Sequence, residues 1–113
     1  MDARVAHIVS YIRSNYQRKL TLTEMAAMVN LSRWRFCHLF KLDTGTSPER
    51  FLTDVRLDKA KHILETEFLT VKEVMHAVGI SDPSYFNRTF KTAYGVTPAR
   101  WRDSRSNASK KER

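Results

Sequence analysis

The chain has 113 residues, enough for one cooperative core or two closely packed lobes, whereas two independent domains would each be marginal. Twenty lysines and arginines against 12 acidic residues leave a formal charge of +8, which favours a polyanionic partner over a neutral small substrate, nucleic acid ahead of an anionic membrane. A lone cysteine, Cys37, excludes an internal disulfide, and no apolar run approaches the ~20 residues that cross a bilayer, so we expect a soluble, unexported, cytoplasmic protein.

In chain order, Val5, Ile8, Val9, Ile12 and Tyr16 recur at helical spacing and predict a first helix of about 13 residues. Thr21-Leu22-Thr23-Glu24 fits a capping box, in which a hydroxyl caps an amide three residues on and the glutamate reaches back, so a second helix starts there. Asn30 tolerates the left-handed backbone that follows a helix end, and Ser32 is the candidate cap of a third helix. The result is a helix-turn-helix over about 21–43. Gly45 stops the third helix, after which Ser47-Pro48 sets a cap before a proline at the first helical position. Phe51, Leu52, Val55, Ala60, Ile63 and Leu64 then mark a long helix over about 48–65, whose roughly 18 residues span on the order of 27 Å. That length is close to the ~34 Å between successive major-groove faces on one side of DNA.

The same punctuation returns downstream. Thr70-Val71-Lys72-Glu73 is a second capping box, Gly79 a second left-handed position and Ser81 the candidate cap of the following helix, giving a helix-turn-helix over about 70–93. Gly95 ends it, and Thr97-Pro98 opens another helix. The segment 104–113, rich in Ser, Lys and Arg, is expected to be a disordered basic tail, leaving 1–103 as the folded domain.

These two halves are a repeat. At an offset of 50, Phe36 meets Phe86, Phe40 meets Phe90, Lys41 meets Lys91, Gly45 meets Gly95, Pro48 meets Pro98, Arg50 meets Arg100 and Phe51 meets Trp101. Upstream the offset is 49, pairing Thr21 with Thr70, Glu24 with Glu73, Leu31 with Ile80 and Ser32 with Ser81. One extra residue therefore sits in the second turn, near Asp82 and Pro83.

At about 100° per residue, with Phe36 in the core, Leu39 and Phe40 share its side while Trp34, His38 and Lys41 point away, flanked by Arg35 and Cys37. In the second copy Tyr85, Phe86, Thr89 and Phe90 face inward, leaving Ser84, Asn87, Arg88 and Lys91 outward. An exposed indole beside basic groups is unusual for a merely solvated face. Asn87 and Arg88 are the strongest candidates of the second copy, since they can make paired hydrogen bonds to adenine and guanine edges. Arg33, Arg35, Lys41 and Lys91 are expected to meet phosphates. His7, His38, His62, His76 and Cys37 show no metal-ligand spacing, and no phosphate-binding glycine loop or nucleophile motif stands out. We expect no catalytic residues, no metal and no cofactor.

The run Val78-Gly79-Ile80-Ser81-Asp82-Pro83-Ser84-Tyr85-Phe86-Asn87-Arg88-Thr89-Phe90-Lys91, followed by Tyr94-Gly95-Val96-Thr97-Pro98-Ala99-Arg100-Trp101-Arg102, resembles the signature of AraC/XylS transcription regulators. The resemblance extends over about residues 4–104. It implies an all-α fold of about seven helices, two helix-turn-helix subdomains joined by a long linker helix, each placing its second helix in the major groove. Carried over by position, it implies base contacts from Trp34, Cys37 and His38 in the first reading helix and from Ser84, Asn87 and Arg88 in the second. Two departures stand out. Met75 occupies a site where the family usually has a small alanine. Cys37 and His38 replace longer polar or basic readers, which argues against strong readout by the first unit.

The expected function is sequence-specific binding of double-stranded DNA and regulation of transcription at bacterial promoters, the isolated domain acting as a monomer. The alternative is a helical interaction module that contacts RNA polymerase and has only non-specific DNA affinity. A structured-RNA binder fits the charge but lacks the run of exposed aromatics that stack unpaired bases. Regulators of this kind usually carry a sensory or dimerising domain, and the chain reads as a fragment of a longer protein.

Overall fold

Capping chemistry decides where the helices begin. The computed structural model describes the backbone of residues 1–111 and the side chains of residues 1–104. It contains α1 (Ala3–Asn15), α2 (Leu22–Met28), α3 (Arg33–Thr44), α4 (Pro48–Thr66), α5 (Val71–Ala77), α6 (Pro83–Tyr94) and α7 (Pro98–Lys111), with no strand among the described residues. The expected all-α, two helix-turn-helix architecture is the one observed, and α4 is the long helix between them.

Two compact units divide within α4, the first running from Met1 to Val55 and the second from Arg56 onward. In the first, α3 packs on α1 and α2. Its core gathers Val5, Ile8 and Ile12 of α1, Met25 and Ala26 of α2, Phe36 and Phe40 of α3, and Leu52 and Val55 of α4. In the second, α6 packs on α5 and α7. Leu57, Ala60 and Leu64 of α4, Val74 and Met75 of α5, and Phe86 and Phe90 of α6 are buried there. The repeat holds at the level of ring contacts. Phe36 and Phe40 meet edge to face at 5.8 Å, and Phe86 and Phe90 do so at 5.9 Å. Phe40 meets Phe51 at 5.5 Å, as Phe90 meets Trp101 at 6.4 Å.

Both turns are built alike. Asn30 (φ 57°) and Gly79 (φ 87°) adopt the left-handed conformation the sequence predicts. Leu31 N–H donates to Ala26 O and Ile80 N–H to Met75 O, each at 3.0 Å, while Asn30 and Gly79 donate to Ala27 O and His76 O at 3.1 Å. This paired closure satisfies carbonyls that the helix end would otherwise leave unpartnered. At the far ends of α3 and α6, Gly45 and Gly95 share φ 83° and donate to Lys41 O and Lys91 O at 2.8 Å.

Two expectations need correction. Ser81 is not the cap of α6; Asp82 is, its Oδ1 accepting from Ser84 N–H at 3.0 Å with Pro83 at the first turn. The cap thus follows the downstream offset of 50 from Ser32, and the extra residue precedes it in the turn. The box at Thr70 is complete, with Glu73 Oε1 accepting from Thr70 N–H at 3.0 Å and Thr70 Oγ1 accepting from Glu73 N–H at 3.1 Å. At Thr21 only the hydroxyl half forms, because Glu24 turns to Arg18, 3.6 Å away. The backbone of α7 runs from Pro98 to Lys111 and so enters the segment 104–113. No glycine or proline follows Pro98 to stop it; residues 112–113 lie outside the described residues.

Candidate nucleic-acid interface

The buried rings of Phe36 and Phe40 fix the rotation of α3, and Ser32 Oγ, accepting from Arg35 N–H at 3.2 Å, fixes its start. The opposite face is therefore solvent-facing by construction. Arg33, Trp34, Arg35, His38 and Lys41 are all exposed, as the helical periodicity requires. Trp34 is 73% exposed, which excludes packing at the core edge, and its ring lies parallel to that of His38, 6° from coplanar with centroids 5.2 Å apart. Cys37 is partly covered. Burial, and then the carboxylate of Glu49, push its thiol above the usual range against the opposing charge of Arg33, so the group is neutral near pH 7.

One residue that sequence reasoning missed belongs to this face. Leu42 is 75% exposed, one turn beyond His38. The signal was available, since Trp34, His38 and Leu42 follow one another at spacings of four and form a single row on a helix. Leu31, Trp34, His38 and Leu42 also line a shallow groove of ≈ 140 Å³, together with Arg4 of α1. Arg4 could not be found from helical periodicity, because tertiary packing of α1 brings it there. Its guanidinium is held by Asp2 at 3.1 Å, and this bond lowers the Asp2 carboxyl to about 2.

In the second unit Phe86 and Phe90 again turn inward, while Ser84, Asn87, Arg88, Lys91 and Thr92 are exposed on α6. The Arg88 guanidinium carbon lies 5.9 Å from the centre of the Tyr85 ring. That contact leaves the forked N–H groups of Arg88 available to an outside acceptor, and no acidic side chain pairs with it among the described residues. Thr92, whose hydroxyl donates to Arg88 O at 2.9 Å, is the counterpart of Leu42. The six residues expected at bases thus fall on the outward side of α3 and α6, with Cys37 the least accessible. The four expected at phosphates, Arg33, Arg35, Lys41 and Lys91, are exposed on the same two helices.

Each unit therefore displays the second helix of a helix-turn-helix, with cationic and hydrogen-bonding groups outward and a locked aromatic anchor inward. Among the described residues no three His, Cys, Asp or Glu side chains gather as metal ligands, and no helix is long and apolar enough to cross a membrane. A helix-turn-helix domain model matches residues 25–104. This chain belongs to the AraC-type helix-turn-helix family. A raffinose operon transcriptional regulatory protein from Pediococcus pentosaceus is 36% identical over 85% of this chain and 35% of its own length. A lactose operon transcription activator from Staphylococcus xylosus is 30% identical over 87% of this chain, again 35% of its own length. The chain spans about a third of the length of these curated relatives. Among solved structures, the C-terminal domain of AraT, a response regulator from Geobacillus stearothermophilus, superposes with a TM-score of 0.86 at 30% identity, covering 92% of this chain and 87% of the other. The DNA-binding domain of AdpA, solved with a target DNA, gives 0.86 at 26% identity, covering 91% and 93%. The chain thus shares its fold and family with the domains of these regulators.

Proposed function

We propose that this domain binds DNA as a monomer, with α3 and α6 entering successive major grooves, and so sets transcription at a bacterial promoter. The observation that carries the reading is the duplicated frame. Two second helices, each anchored by a buried phenylalanine pair, present exposed Trp34, His38 and Lys41 in one unit and Ser84, Asn87, Arg88 and Lys91 in the other. One chain thus carries both half-site readers that a symmetric dimer obtains from two copies. The half-sites are accordingly direct repeats, not a palindrome.

Within this reading, Trp34, Cys37, His38, Ser84, Asn87 and Arg88 face bases, and Arg33, Arg35, Lys41 and Lys91 neutralise phosphates. The phosphate set steers and orients, whereas the base set selects the sequence. The names of the relatives, an operon regulatory protein and an operon transcription activator, support a promoter role and an activating one in the cytoplasm. RNA polymerase is then the second partner, met while the domain sits on DNA.

The test is selection of a duplex from random sequence, then competition of the labelled winner by scrambled duplex and by structured RNA. Specific binding by one chain over about two helical turns is expected. Equal competition by scrambled duplex would leave only the polymerase-contacting module, and preferential competition by RNA would replace DNA as the partner.

A further inference from the structure

The two reading faces have opposite chemistry, although their frames match. The exposed row on α6 is Ser84, Arg88 and Thr92; the row in the same register on α3 is Trp34, His38 and Leu42. Side chains such as serine and arginine read the hydrogen-bonding pattern of base edges. An indole and a leucine, three-quarters exposed, have almost nothing to offer that pattern.

Exposed apolar surface of this kind marks a contact with another molecule. Its surroundings select which one. Arg33, Arg35 and Lys41 stand exposed around the row, so the partner is a polyanion with an apolar feature. In the major groove the apolar feature is the methyl group on C5 of thymine, and a methylated cytosine carries the same group at the same ring position. The neutral, partly covered thiol of Cys37 adds no competing hydrogen-bond code beside the row.

We propose that α3 recognises the C5-methyl group of pyrimidines, thymine or 5-methylcytosine, through the Trp34, His38 and Leu42 row. This rests on the reading that α3 enters the major groove. The parallel stack on His38 holds the indole plane in place before binding, so less rotamer freedom is lost on contact. From Trp34 to Leu42 the row extends about 12 Å along the helix. At ~3.4 Å per base step it covers a window of about four base pairs.

The experiment uses the whole chain and its selected duplex. Every thymine is replaced singly by uracil, which removes the methyl and nothing else, and each cytosine by 5-methylcytosine. Uracil is expected to weaken binding about fourfold at one or two positions inside a single four-pair window, the equivalent of one buried methyl group. The same replacements elsewhere in the site leave affinity unchanged. Trp34→Ala and Leu42→Ala remove exposed side chains and leave the fold intact by circular dichroism; they should abolish the thymine-to-uracil ratio at those positions. A gain on 5-methylcytosine within the window extends the ligand to methylated DNA, whereas uracil loss without that gain confines it to thymine. Equal binding of thymine and uracil throughout a site that still outcompetes scrambled duplex overturns the inference and leaves the DNA-binding reading standing. A Trp34→Ala variant that weakens binding yet keeps the thymine-to-uracil ratio overturns it as well. Loss of all preference over scrambled duplex would instead be the failure of the DNA-binding reading itself.

Discussion

The first unit and the second are one design used twice, and they differ most on the surface. Their turns close through the same pair of hydrogen bonds, their last turns end on glycines with the same φ, and their phenylalanine pairs meet at nearly the same distance. On the outward face Trp34 stands where Ser84 does, His38 where Arg88 does, and Leu42 where Thr92 does. A buried frame and an exposed face are therefore separable on one helix. Positions that hold the rotation of α3 and α6 admit little change, while those a quarter to a half turn away are free to change chemistry altogether. Ala26 and Met75 show the limit inside the core, where both are 2% exposed although they differ by a long side chain. The surrounding volume must differ to accept them, since an interior at crystal-like density leaves no room for an unmatched group.

If the frames are equivalent, the largest effects should be paired. Phe36→Ala and Phe86→Ala each empty a fully buried ring site, and each is expected to cost about 3–5 kcal/mol of the stability of its own unit. Hydrogen exchange, read separately for amides of α3 and α6, checks this. A large loss in one unit and almost none in the other would show that the frames are not equivalent.

The next effect should break the symmetry. Arg88→Ala is expected to cost about 1–3 kcal/mol at the preferred site and to relax preference at one base pair, because a forked guanidinium reads guanine O6 and N7 together. Lys91→Ala should weaken binding to every duplex alike and reduce the salt slope by about one unit. Titrations on matched and singly altered sites separate the two, and a loss for Arg88→Ala that is equal on all sequences would remove its base-reading role.

Much of this was legible in the sequence because it is local. Caps, left-handed positions and the inward face of each helix depend on neighbours three or four residues away, so Ser32, Asn30, Gly45 and Phe36 declare themselves. What escaped depends on competition. Asp82 outcompetes Ser81 because proline at the next position fixes the first turn of α6. Glu24 leaves its box for Arg18, which lies beyond the turn before α2 and cannot be paired with it by helical spacing. Leu42 has the side chain of a core residue, although its register with Trp34 and His38 places it outward, where it is 75% exposed.

A smaller pair of effects probes the helix ends. An added Cβ at Gly45 or Gly95 would meet no atom within 4 Å, so Gly45→Ala and Gly95→Ala cost only the left-handed backbone strain. That is about 1–2 kcal/mol, nearly the same in both units, and thermal unfolding of the two variants measures it. The smallest effect concerns acid. Hydrogen bonds with Thr70, its backbone N–H first, hold the Glu73 carboxyl below its ordinary 4.5. A group whose folded value is lowered contributes above its unfolded value and loses that contribution as pH falls through the folded one. Stability supplied by this cap should therefore fade on the acid side of pH 4.5, and Glu73→Gln should flatten the difference seen by pH-dependent unfolding. A slope unchanged in that variant would mean that the box does not carry it.

Guanine N7-methylation interference on the selected duplex reports major-groove contact by both helices at once, since N7 faces only the major groove. If one chain reads DNA with both helices, premethylated guanines should block binding in two clusters about one helical turn apart, and Arg88→Ala should erase interference at one guanine of one cluster. Interference confined to a single cluster, or two clusters that appear only when a second chain binds, would contradict the account.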